Sequence, residues 1–150
     1  MVVRPFPPLL DGHAGDTNTL LYAQDADAPA KQQGSRDVIE ELARAGDGVV
    51  STQVMQEFYV AATRQLDLPP LAAKAVLQTF AVFEVVQVSP AVIQEAIDCS
   101  LLTQLSFWDS LLLAAAAAGC VRMYSEDLDA GQTVLGVRVE NPLHGYGDTQ

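Results

Sequence analysis

The sequence predicts an α/β fold, a three-layer α/β/α sandwich around a mainly parallel sheet of about five strands. Three observations predict it. Short β-branched apolar runs recur along the chain, "GVVST", "FEVVQVS", "CVRMYS" and "GVRVEN". Segments of helical period separate most of them, which calls for crossover connections and so for parallel strands covered on both faces. Right-handed crossovers then place helices in both outer layers. Finally, 150 residues with 49% hydrophobic and 18% charged side chains suffice for a sizeable core and argue against disorder. With no repeat, linker or charge block, one domain over 1–150 is expected.

The elements follow in order. Residues 1–15 contain Pro5, Pro7, Pro8 and the Gly-rich "DGHAG", and are expected to be irregular, with no good central strand. A helix "TNTLLYA" follows Asp16. "SRDVIEELARAGDG" places Val38, Ile39, Leu42 and Ala43 on one helical face and stops at Gly46. "GVVST" is a short buried strand. "TQVMQEFYVAATRQL" is a helix with Val54, Phe58 and Ala61 on one stripe and Met55, Tyr59, Ala62 and Leu66 on the next. Pro69-Pro70 opens a helix through about Phe80, and the strand "FEVVQVS" follows. Ser89-Pro90, a cap followed by proline at the first helical position, starts the next helix. Its expected buried face is Ile93, Ala96, Ile97, Ser100 and Leu101. The last helix runs from about Phe107 to Ala118 and ends at Gly119, before the strands "CVRMYS" and "GVRVEN".

Composition narrows the function classes. The longest uncharged apolar run, Ser110 to Val121, is too short to span a bilayer. The N-terminus lacks a cleavable signal pattern, so a cytoplasmic protein without membrane contact is expected. Cys99 and Cys120 have no CxxC or Cys/His spacing and read as reduced core thiols. His13 and His144 have no ligand spacing. A net charge of −11, from 19 acidic against 8 basic residues, disfavours nucleic-acid binding through a broad basic face. It suits a site built from carboxylates and neutralised by a cation.

Four acids are placed for such a site. Asp16 opens "DTNTLLYA". Glu57 lies early in the helix after "VVS". Asp109 stands in the first turn of "SFWDSLLLAAAAAGC", and Asp127 follows "CVRMYS". In open α/β sheets, sites form beyond the carboxyl ends of the strands, where these positions converge. Clustered carboxylates repel one another and require a cation to stay ionised together. Mg²⁺ and Mn²⁺ prefer hard oxygen donors, and such ions can activate water against a phosphodiester. Each acid also has a plainer role. Asp16 can cap its helix, Glu57 can be an exposed helical glutamate, and Ser106-x-x-Asp109 matches a capping box. Asp127 can belong to a turn, with Glu126 and Asp129 as rival acids.

The segments "DTNTLLYA" (16–23), "STQVMQEFYVAATR" (51–64), "SFWDSLLLAAAAAGC" (106–120) and "MYSEDLDAGQ" (123–132) also carry a resemblance. In order and spacing the chain resembles PIN-domain proteins, and among them VapC-type toxins of toxin–antitoxin pairs, over about Asp16 to Pro142. The resemblance implies a Mg²⁺- or Mn²⁺-dependent ribonuclease with an RNA substrate, a cognate antitoxin and a homodimeric state. It carries catalytic and metal-binding roles to Asp16, Glu57, Asp109 and Asp127, and supporting roles to Thr17, Asn18 and Ser125. One departure is that "PPLLDGHAG" stands where the family has a buried apolar strand. That motivates a second reading, a catalytically impaired module of the same fold acting through protein binding. A protein resembling haloacid-dehalogenase phosphohydrolases would need an acid two residues after Asp16, and position 18 is Asn.

Overall fold

In the computed structural model the described residues are 2–3, 13–15, 17–46, 48–118, 120, 122–125 and 128–143, with backbone alone for 2–3 and 13–15. The strands are β1 (Val2–Val3), β2 (His13–Gly15), β3 (Gly48–Ser51), β4 (Glu84–Val86), β5 (Arg122–Tyr124), β6 (Thr133–Val134) and β7 (Val137–Glu140). The helices are α1 (Thr17–Tyr22), α2 (Pro29–Ala45), α3 (Thr52–Gln65), α4 (Pro70–Thr79), α5 (Pro90–Leu102) and α6 (Phe107–Ala117).

The strands form one sheet in the order β4-β3-β1-β5-β7-β6, with β2 also paired to β5. The β3/β4, β2/β5 and β5/β7 ladders are parallel, and each matches three residue pairs. The antiparallel ladders are shorter and involve the two-residue strands β1 and β6. Because β1 is antiparallel to both β3 and β5, those two strands run the same way. The carboxyl ends of β2, β3 and β5 therefore lie at one edge of the sheet.

Residues 1–15, expected to be irregular, carry two strands. Backbone pairing accounts for β2, not side-chain pattern: His13, Ala14 and Gly15 stand opposite Arg122, Met123 and Tyr124. A three-residue strand with a histidine and a glycine has no sequence signature of its own. The strand ends at Gly15.

Helices cover both faces of the sheet, as the apolar runs required. On β3, Val50 faces a core with Leu20, Leu42, Val54 and Phe58, which belong to α1, α2 and α3. Its neighbour Val49 faces the opposite core, with Leu113, Met123, Val137 and Val139. Period-two alternation on a strand sends successive side chains to opposite faces. Gly48 is needed at the start of β3, because a Cβ there would run into the Phe83 ring.

The capping chemistry is local. Ser51 and Ser89 accept hydrogen bonds from Val54 N and Val92 N. Gly46 ends α2 with φ 72°, a left-handed conformation that glycine adopts without steric cost. The expected face of α5 is corrected by the structure. The buried residues are Val92, Ala96 and Cys99, while Ile93, Ile97 and Leu101 face outward. The buried side packs on Leu111, Ala114 and Ala115 of α6. Small residues on both helices let the axes approach closely, so fit outweighs the larger apolar area of the isoleucines.

Candidate active site

The site begins where two strands end. Thr17 starts α1 just beyond β2, and Ser51 caps α3 at the end of β3. Glu57 then falls in the second turn of α3. The hydroxyl of Thr17, only 9% exposed, donates to Glu57 Oε2 at 2.7 Å. One turn before Glu57, the Gln53 amide donates from Nε2 to Glu57 Oε1 at 2.9 Å. Each carboxylate oxygen of Glu57 thus accepts a hydrogen bond, and the two bonds fix its orientation.

Asp109 enters from the opposite element. The Ser106 side chain caps α6 by accepting from the Asp109 backbone N–H at 3.1 Å. Among the described residues, the Asp109 carboxylate returns no hydrogen bond to Ser106. Only half of a capping box is built, and it uses the backbone of Asp109. The side chain instead lines a cavity of about 150 Å³ with Thr17, Asn18, Gln53, Glu57, Trp108 and Leu112.

Of the residues expected at the site, Thr17, Asn18, Glu57 and Asp109 come together around this cavity. Asp16 and Asp127 lie outside the described residues. Among the described residues the acids here are a pair, with no grouping of three or more His, Cys, Asp or Glu. Ser125 is buried just beyond β5. Its backbone N–H donates to the Glu140 carbonyl at 2.9 Å, continuing the β5/β7 ladder, and its hydroxyl accepts from Leu128 N at 3.1 Å. That bond ties Leu128 to the residue that follows β5. Beside it, burial pushes the Tyr124 phenol up to about 12, helped by the negative charges of Glu140 and Glu41.

Gln53 is a site residue not expected from the motifs. It is 5% exposed, and its Oε1 has no hydrogen-bond partner among the described residues. A buried amide oxygen without a donor loses its water without compensation. A signal for it existed in the sequence, because Gln53 and Glu57 are four residues apart on one helical face.

The donor set is oxygen only: two carboxylates, the Asn18 amide, the Thr17 hydroxyl and the orphaned Gln53 carbonyl. Such a set matches a hard divalent cation such as Mg²⁺ or Mn²⁺ and not a softer metal that seeks thiolate or imidazole. The unmet acceptor on Gln53 supports the same fit.

Comparison with known proteins agrees with this architecture. The PIN domain family matches residues 15–133. Among solved structures, Mycobacterium tuberculosis VapC20, described as a sarcin–ricin loop cleaving toxin, is similar at a TM-score of 0.56 and 19% identity. The alignment covers 78% of this chain and 91% of that one. No curated protein sequence matches the chain. With its α/β sheet, its helix order and most of its length inside the family match, the chain belongs to the PIN domain family.

Proposed function

We propose that the chain is a Mg²⁺- or Mn²⁺-dependent endoribonuclease, the cytoplasmic toxin of a toxin–antitoxin pair, with RNA as substrate and an antitoxin as protein partner. The observation that carries the reading is the pair Glu57 and Asp109 facing one cavity, with both oxygens of Glu57 held by Thr17 and Gln53. The structural likeness to an RNA-cleaving toxin and the family match support it.

In this reading Glu57 and Asp109 hold the cation, joined by Asp16 and Asp127, whose roles rest on the family resemblance. The bound cation would supply charge neutralisation at the phosphate and a water poised for attack. The chain's own contribution is orientation. Thr17 and Gln53 keep Glu57 in one rotamer, and the Ser106 cap fixes the start of α6, so the carboxylates need no rearrangement when substrate arrives. Unpaired loop RNA suits the site, because A-form helices hide their base edges. The impaired-module reading was motivated by an absent first strand. A strand at His13–Gly15, parallel to β5, supports the active reading over that one.

A Mn²⁺ titration followed by thermal melting tests the proposal. Binding to the folded state alone stabilises by about 2.7 kcal/mol at a hundred times Kd. The melting temperature should rise with millimolar Mn²⁺ and return with chelator. Curves that ignore the metal would refute a working site.

A further inference from the structure

Next to the acid cavity lies a second and larger one, about 630 Å³, in the size range of small-ligand pockets. The two share Gln53, Glu57 and Trp108, so one opens onto the other. The floor of the larger groove is one face of α3, from Gln53 through Gln56, Val60 and Ala61 to Arg64. Trp108 of α6 forms the opposing wall. Glu57 and Arg64 stand seven residues apart, about 10 Å along the helix axis.

Three features of this groove are unexplained by folding. Trp108 is 62% exposed, although it lies in the first turn of a helix whose next turns are largely buried. Its ring is braced against Phe107 in an edge-to-face contact, centroids 5.2 Å apart. Arg64 is exposed and has no ion pair among the described residues, in a chain of net charge −11. Gln53, at the junction of the two cavities, carries an unmet acceptor.

We infer that this groove is a subsite for an unpaired nucleotide next to the one being cleaved, with its base stacked on Trp108 and its phosphate held by Arg64. The inference rests on the ribonuclease reading for the identity of the strand. An exposed indole offers a π-face that any base can stack on. A cation about two helical turns from Glu57 leaves room for one nucleotide between them. The exposed Gln56 amide offers both donors and an acceptor to a base edge.

The test uses the full chain, in which Trp108 is the one tryptophan, so indole fluorescence reports this position alone. The probes are a short unstructured RNA of mixed sequence, the same RNA annealed to its complement, and a short acidic peptide. In chelator and low salt, the single strand should quench Trp108 and the duplex should not. In Mn²⁺, Trp108→Ala should raise KM or lower kcat/KM roughly five- to hundredfold, with Trp108→Phe recovering most of the loss. Arg64→Gln should raise KM and flatten the logarithmic salt dependence by about 0.7. A wild-type protein that cleaves RNA without quenching, and whose two variants keep their KM, overturns the subsite and leaves the ribonuclease reading standing. Quenching by single-stranded RNA without cleavage in Mn²⁺ removes the ribonuclease reading and overturns the placing of the subsite beside a cleaved nucleotide, leaving Trp108 as an RNA contact. Quenching by the peptide and not by RNA assigns the groove to a protein partner and overturns the inference.

Discussion

Replacing Thr17 by valine tests what holds Glu57 in place. Valine keeps the β-branched shape and removes only the hydroxyl that donates to Glu57 Oε2 at 2.7 Å across 40 residues of sequence. Hydrogen bonds to charged groups contribute about 1.5–3 kcal/mol net. Glu57 is only partly buried, so water replaces some of the lost bond, and the expected cost is about 1–2 kcal/mol. For a chain of this size that lowers the melting temperature by about 2–8 °C. Activity should fall as well, since Glu57 loses one of its two anchors. Thermal melting in chelator, beside RNA cleavage in Mn²⁺, measures both effects, and Thr17→Ser supplies the control by restoring the donor. A Thr17→Val protein that melts and cleaves like wild type, or a serine variant as damaged as the valine one, would refute the role given to this bond.

Two further outcomes follow from the same geometry. Asp109→Asn should fold normally, because the Ser106 cap uses the backbone N–H of residue 109. The lost helix-terminus charge costs only about 0.3–1 kcal/mol, partly offset by relief of repulsion from Glu57. The variant should nevertheless lose its metal-induced rise in melting temperature, and an unchanged rise would remove Asp109 from the site. The second outcome concerns alkaline pH. The Tyr124 phenol is raised from 10.0 to about 12 in the folded chain, so the unfolded state releases its proton first. Its contribution to stability is complete below pH 10 and is lost as pH climbs towards 12. Tyr124→Phe should flatten denaturation midpoints over that window, and an unaltered pH dependence would contradict the assignment.

Much of the architecture was legible because its signals are local. Ser89 before Pro90, Ser106 three residues before Asp109, and Gly46 after a periodic run each satisfy backbone groups of their own turn. The run "VVS" marks a strand buried on both faces, and the alternation in "VRVE" marks one whose valines alone are buried. Signals that depend on distant partners were not legible. Strand β2 exists through its ladder with β5, about a hundred residues later in the chain. The outward turn of Ile93, Ile97 and Leu101 reflects how Val92 and Ala96 pack on α6, which apolar periodicity does not encode. At the site, acid spacing led to Glu57 and Asp109, while the anchoring by Thr17 needed the sheet to bring α1 against α3. Gln53 went unnoticed because an amide on a helix face is ordinary until its oxygen is seen buried without a donor.

The central claim, that the carboxylates at this sheet edge cleave RNA with a divalent cation, is tested most directly by one cleavage assay. Wild type and Glu57→Gln are compared on the same loop-containing RNA, in Mn²⁺ and in chelator. Glutamine keeps the shape of residue 57 and an acceptor for Thr17 but removes the charge. The account predicts that wild type cleaves only with Mn²⁺, and that Glu57→Gln, though folded, does not cleave. Cleavage that persists in chelator, or that survives the loss of the Glu57 charge, would contradict it.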